Sequence, residues 1–340
     1  MRSVNLQVLA VSLHSLLVGC YDLTILHVND IHVRMEETNK YSSTCKQSQK
    51  DEGEEWKCWL HIVDYNIVLG RCYGGVARLK AAVQEKKKTK PNVLWLNGGD
   101  FFQGTIWYTQ FKWRVVSQFN NLLEFDAITL GNHEFDDSLA GVVPFLKNQS
   151  CPVVVSNLNT SLVPQMEDLT VSSVNFTVGE KIVGVVGYLT PETKFIANPE
   201  KLIILDEIES LKPEVARLHE AGVDIIIALG HSGYEKDKEI AASVPHLDVV
   251  IGGHSHSFLY SPTEQRPNPS NDAVRGPYPT IVANPAGHKT IVLQAYAYTK
   301  VGPGKDKRNI FNIKIISSIS GTSTWSFPPP ESCSPGKDNM

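Results

Sequence analysis

Residues 250–260 read VIGGHSHSFLY, an apolar run that passes through two glycines into His254 and His256. Side chains two apart on extended backbone point the same way, so both imidazoles face one side where the run ends. Two histidines alone specify little. What decides their meaning is whether ligand-type residues also end other strands, since open α/β sheets place their sites in the crevice outside the carboxyl ends of strands.

Short β-branched runs recur along the chain. LTILHVND (23–30), NVLWLNGGD (92–100), DAITLGNHE (126–134), PVVVSN (152–157), KIVGVVGYLT (181–190), VDIIIALGHSG (223–233), LDVVIGGHSH (247–256), TIVAN (280–284) and TIVLQAYAY (290–298) read as strands. Helical patterns at 74–88 and 207–222 lie between them, which predicts an α/β chain of βαβ-like units with largely buried strands. Five of these runs end in ligand-type residues: Asp30-Ile31-His32, Gly98-Gly99-Asp100, Gly131-Asn132-His133-Glu134, Gly230-His231 and Gly252-Gly253-His254-Ser255-His256. Chance decorates one strand end this way far more readily than five. The glycines let the backbone turn sharply and ligands pack closely.

Composition narrows the class. The 340 residues are 42% apolar, enough for one large core or two ordinary ones. A charged fraction of 20% and a net charge of −4 give no polybasic signature for nucleic acid. Lys86, Lys87, Lys88 and Lys90, before Pro91, read as a solvated helix end favoured by the dipole.

Residues 1–20 read as a secretory signal, with Arg2 leading an apolar stretch too short and too polar to span a membrane and small residues before a cleavage point near Cys20. The same LVGC also fits a bacterial lipoprotein box. Sequons at Asn148, Asn159 and Asn175 favour a glycosylating secretory pathway, hence a secreted, extracellular protein without a transmembrane segment. Beyond Cys20, five cysteines remain, at 45, 58, 72, 151 and 333, with no C-x-x-C metal pattern. An odd number in an oxidising compartment leaves at least one thiol free or paired between chains.

Imidazole, carboxylate and amide oxygen together suit a borderline divalent ion, zinc first, with manganese or iron possible, rather than calcium or a thiolate site. The ligands outnumber the needs of one tetrahedral ion. Two ions about 3.5–4 Å apart, sharing a carboxylate, would use them all and clamp both oxygens of a phosphoryl displacement.

The ordered series D-x-H, G-G-D, G-N-H-E, G-H-S and G-G-H-S-H resembles the calcineurin-like metallophosphoesterases. More narrowly, ILHVNDIH, GGVARL, GGDFFQGTIWY, DAITLGNHEFD, LGHSGYEKDKEIA and VVIGGHSHSFLY are similar to the catalytic domain of animal ecto-5′-nucleotidases and the related secreted apyrases, over roughly residues 22–298. The resemblance implies a four-layer α/β/β/α sandwich. It also implies that Asp30, His32 and His256 hold one metal, that Asn132, His231 and His254 hold the other, and that Asp100 bridges both. His133 would then be no ligand but a stabiliser of charge on the phosphoryl oxygens, oriented by Asp136. Glu134 is read as structural rather than as a base, His27 as a packed strand histidine, and His61, His219, His246 and His288 as surface residues.

Three features depart from the family pattern. Cys45 and Cys72 resemble a family disulfide that closes a short loop, yet the insertion 46–71 between them is apolar and aromatic, odd for an exposed loop. It reads as a partner- or membrane-contacting flap, as extra strand structure, or as a segment that a mature transcript would omit. From residue 301 the resemblance stops. NIFNIKIISSI (309–319) is read as a final strand, and FPPPESCSPGKDNM as disordered. Third, the family continues into a nucleotide-binding domain that stacks the base between aromatic rings, and nothing in 301–340 corresponds to it. The expected function is a secreted dinuclear-metal phosphohydrolase acting on nucleoside 5′-phosphates of the AMP, ADP and ATP class. The alternative is a catalytically weakened binding protein that keeps the fold and lacks the nucleotide clamp.

Overall fold

A computed structural model describes residues 20–39, 43–48, 54–60, 63–69, 72, 74–262, 272–298, 310–317 and 323–326, with residue 20 and the segments 54–60, 63–69, 310–317 and 323–326 described as backbone. The signal reading therefore lies outside the described residues, apart from Cys20.

Two sheets carry the architecture. In the first, β1 (Cys20–Val28), β4 (Val93–Asn97) and β5 (Ala127–Ile128) run parallel, while β14 (Ile310–Ser317) pairs antiparallel with β1 and β15 (Ser323–Ser326) with β14. In the second, β8 (Lys181–Leu189), β10 (Ile225–His231), β11 (Val249–Gly252) and β13 (Lys289–Gln294) form a parallel core. Antiparallel β7 (Ser173–Val178) and β12 (Thr280–Ala283) flank it. The two-residue strands β6 (Leu158–Asn159) and β9 (Ile203–Ile204) pair, among the described residues, only with each other.

Strand alternation sorts the side chains into layers. Leu23 and Ile25 of β1 meet Ile225, Ile227 and Leu229 of β10 in a core between the two sheets. Their neighbours Leu26 and Val28 face outward onto the helices Val76–Thr89, Trp113–Leu123 and Ser138–Lys147. On the far side, Ile226 and Ala228 pack against the helices Glu207–Glu220 and Tyr234–Ser243. The result is the α/β/β/α sandwich. Each fully buried Leu, Ile or Val contributes roughly 1.5–3 kcal/mol, so a charge at Ile227, which is 0% exposed, would split the inter-sheet layer.

The helix 207–220 begins at Asp206, whose Oδ1 accepts the Glu209 N–H at 3.0 Å, an ordinary side-chain cap. The lysines at the end of the helix 76–89 sit in its last turn, with Lys86 beside Glu85 and Lys87 beside Asp126.

PVVVSN differs from its sequence reading. Residues 153 and 154 form isolated bridges to Ile128 and Val171, and no continuous ladder. The reason is positional: Val154 N–H donates to Ile128 O in the first sheet, and Ser156 N–H to Gly187 O in the second, so the segment ties the two sheets together. Within the insertion, β2 (Glu54–Leu60) and β3 (Val63–Leu69) pair, among the described residues, only with each other as an antiparallel hairpin, flanked by a Cys45–Cys72 disulfide with Cα atoms 5.7 Å apart. The strand expected over 309–319 is β14, which joins the first sheet beside β1. FPPPESCSPGKDNM lies outside the described residues.

Candidate metal centre

Every ligand-type residue singled out in the sequence arrives at one end of the sandwich. Asp30 and His32 follow β1, Asp100 follows β4, Asn132 follows β5, His231 closes β10, and His254 and His256 follow β11. Backbone bonds lock the loops together: Asp30 N–H donates to Gly99 O at 2.9 Å, and His32 N–H to Asp100 O at 3.1 Å. Asp30, His32, Asp100, His254 and His256 all have φ between 46 and 76°. Left-handed backbone at non-glycine residues costs about 1–2 kcal/mol each and gathers at functional sites. Gly131 is required by contact, because a Cβ there would run into the Asp100 carboxylate. At Gly253 a Cβ would lie 2.7 Å from His231 Nδ1 and 2.8 Å from Gly98 O.

The side chains form two clusters, Asp30 with His32 and His256, and Asp100 with His231 and His254, each with its ligand atoms within 4.8 Å of one another. His256 Nε2 is 3.1 Å from Asp30 Oδ1 and 3.0 Å from His32 Nε2. Asp100 stands between the clusters. Its Oδ2 lies 3.0 Å from His231 Nε2 and 4.0 Å from His32 Nε2, while its Oδ1 accepts the His133 N–H at 2.9 Å. Asn132 lines the same cleft, whose volume is ≈ 350 Å³.

These residues fit divalent ions on three counts. His231 Nδ1 sits 2.7 Å from Gly98 O and His32 Nδ1 3.1 Å from Phe102 O. A carbonyl only accepts, so both Nδ1 atoms are donors and the Nε2 lone pairs face the cluster, as in outer-shell orientation of metal-binding histidines. Second, buried Asn132 Oδ1 has no hydrogen-bond partner. His231 Nε2, though 3.0 Å from Asp100, is misaligned for a hydrogen bond and likewise has none. Buried polar atoms are rarely left this way without cause. Third, burial alone would raise the pKa of Asp30 and of Asp100, yet without a cation the charge of His231, which Asp100 and Asp30 raise to about 10 against its own burial, holds both carboxyls below their ordinary range; a bound cation would take over that charge and free the His231 Nε2 lone pair.

Asp136 Oδ2 accepts from His133 Nδ1 at 2.7 Å, and that bond, against the opposing effect of burial, raises the His133 imidazole to about 9. His133 Nδ1 is thus taken, although its ring shares a ligand-spaced group with His32 and Asp100. Glu134 is 1% exposed. Its Oε2 accepts from Asp100 and Gly131 N–H at 3.0 and 2.6 Å, and its Oε1 from Phe101 and Phe102 N–H at 2.8 and 3.0 Å. Both oxygens are occupied by backbone, which agrees with a structural role.

His27 is fully buried beside Tyr278, its Nε2 3.1 Å from the hydroxyl. His219 is exposed and His246 and His288 are half-buried, away from the cleft, while His61 lies outside the described residues. Arg34 and Tyr298 also line the cleft, the guanidinium 5.1 Å from the ring centroid. The spacing D-x-H-x-R would have pointed to Arg34. Nothing in the pattern around 298 marks the tyrosine.

Fold and site together define a metallophosphoesterase, and comparison with known proteins agrees: residues 23–258 match the calcineurin-like phosphoesterase family, to which this chain belongs. Among its relatives, the chain is 43% identical over 286 residues to a 5′-nucleotidase of Homo sapiens, covering 83% of this chain and 46% of that protein. It is 39% identical over 282 residues to an apyrase of Tabanus yao, covering 82% and 47%. A 5′-nucleotidase precursor from Thermus thermophilus superposes with a TM-score of 0.73 at 30% identity, over 92% of this chain and 55% of that one. The chain thus spans about half the length of the curated relatives it matches.

Proposed function

We propose that this chain is the metal-binding catalytic part of a secreted phosphohydrolase that releases phosphate from nucleoside 5′-phosphates. The observation that supports this best is the pair of clusters joined at Asp100 Oδ2, with Asn132 Oδ1 and His231 Nε2 unpartnered beside it. Asp30, His32 and His256 would hold one divalent ion, and Asn132, His231 and His254 the other, with Asp100 shared. The donor set of imidazole, carboxylate and amide suits zinc, with manganese as a second choice. When bound, such a pair supplies Lewis-acid polarisation of phosphoryl oxygens and activation of water.

The remaining work falls to the chain. Protonated His133, steadied by Asp136, presents a positive N–H donor in the cleft for charge that develops on the phosphoryl and leaving oxygens, where a fixed donor is worth most. Asp136 keeps the imidazole oriented and charged. Glu134 holds the Asp100 and Asn132 loops in register. The signal-like residues 1–20 and the sequons support secretion, and among the described residues no helix is long and apolar enough to cross a membrane.

The test is kcat/KM for AMP, ADP and p-nitrophenyl phosphate on the purified chain, with and without chelator. Chelator-sensitive phosphate release is expected from all three. Nucleotide preference requires contacts to base and ribose that strengthen in the transition state. Release that persists in chelator, or none from any ester with metal present, would refute the assignment.

A further inference from the structure

His254 and His256 must address different ions, yet they sit on a five-residue loop, Gly253 to Ser257, that leaves β11 without a ladder of its own. Gln294, the last residue of β13, lies behind that loop and is 1% exposed. Its Nε2 donates to Gly253 O at 2.8 Å, while its Oε1 accepts the Ser257 N–H at 2.6 Å and the Ser255 hydroxyl at 3.1 Å. The amide can face only one way, because Gly253 O accepts and Ser257 N–H donates. One side chain thus grips residues 253, 255 and 257, which alternate with the two histidines.

The grip is itself anchored. Asp237, 0% exposed, accepts the Tyr188 hydroxyl at 2.7 Å, and its Oδ2 lies 3.5 Å from Gln294 Nε2, a long contact. Gly252, the last residue of β11, lets the same carboxylate approach: a Cβ there would collide with Asp237 Oδ2. Ser255 Oγ further accepts the Tyr234 N–H at 3.0 Å, tying the loop to the first residue of the helix 234–243.

We infer that Gln294, backed by Asp237, is the positioning residue that sets His254 and His256 against their separate clusters. The inference rests on the reading of those histidines as metal ligands. Only a side chain with a donor and an acceptor on one carbon serves this loop. Glutamate loses the donor and adds charge beside Asp237, and methionine offers neither bond. Groups bonded directly to a ligating side chain typically carry about 10–100-fold of metal affinity; Gln294 acts one step further out, through residues 253, 255 and 257, but on both histidines at once.

The experiment measures zinc affinity by calorimetry on the full chain, for wild type, Gln294→Met and Ser255→Ala, with urea unfolding of each metal-free form as a separate readout. Gln294→Met is expected to weaken zinc binding by about 10–100-fold, beyond any change in metal-free stability. Ser255→Ala, at an exposed position, removes the hydroxyl that donates to Gln294 Oε1 and accepts the Tyr234 N–H, and is expected to weaken zinc binding by about 3–10-fold beyond any change in metal-free stability. Zinc affinity unchanged in Ser255→Ala, or in a folded Gln294→Met that is merely less stable, would overturn the inference. A wild-type chain that binds no zinc would instead overturn the reading of the site, and the inference with it.

Discussion

Replacing Glu134 by glutamine separates a structural carboxylate from a catalytic base. Each Glu134 oxygen now takes two backbone N–H bonds, from residues 100 and 131 on one side and 101 and 102 on the other. Glutamine keeps one carbonyl oxygen and presents an NH2 to the other pair, so two buried N–H groups lose their acceptor and face a donor. An unsatisfied buried donor costs about 1–3 kcal/mol, which sums to about 2–6 kcal/mol for Glu134→Gln. Burial and the nearby Asp100 charge push Glu134 upward in pKa, and relief of that repulsion offsets part of the loss. The assay is urea unfolding in chelator, which reads the loop without its ions, paired with metal content after reloading. The expected result is a stability loss in that range together with reduced occupancy at Asp100. A variant within about 0.5 kcal/mol of wild type, fully metal-loaded but catalytically dead, would refute the structural account and make Glu134 a base.

Other expectations follow from single residues. His133→Ala should lower kcat by about 10²–10³-fold, the range for a lost electrostatic donor, with metal content unchanged; loss of one ion would make His133 a ligand. Asp136→Asn should weaken the charge on His133 and shift the pH–rate profile of kcat toward lower pH, and an unmoved profile would remove Asp136 from that role. Burial lowers His27 to about 3, below its ordinary value of 6.5, so the unfolded chain takes up a proton first as pH falls. Its contribution to stability is present above about 6.5 and is lost below it, by at most about 1.4 kcal/mol per pH unit. His27→Leu should therefore flatten the acid limb of a stability-versus-pH curve by about one proton; an unchanged limb would show that His27 does not drive it.

Much of the candidate site was legible because ligand-type residues at strand ends are local signals. A strand of four to seven residues followed by glycine and a ligand can be read without knowing its neighbours, and β10 into His231 is such a case. The sandwich was legible through the resemblance, whereas the pairing of β14 with β1 depends on a contact nearly 300 positions away and left only a weak apolar run to read. PVVVSN shows the opposite failure: its composition is that of a strand, but its bonds are divided between two sheets, and periodicity cannot report that. Gln294 was invisible for a related reason. A glutamine closing a buried strand has no motif, and its meaning arises only when the fold brings it behind residues 253–257. Glu134 was visible, but the observation that favours scaffold over base, four backbone donors on its carboxylate, is one that no spacing predicts.

The shared carboxylate is where a dinuclear centre is tested most directly. Elemental analysis of the purified chain after loading with zinc and removal of excess, beside Asp100→Asn treated the same way, measures it. Asp100 Oδ2 lies between both clusters, so two ions per chain are predicted in the wild type and loss of both in the variant, with phosphate release lost in parallel. Two ions retained by Asp100→Asn, or no more than one in the wild type, would contradict a centre bridged at Asp100.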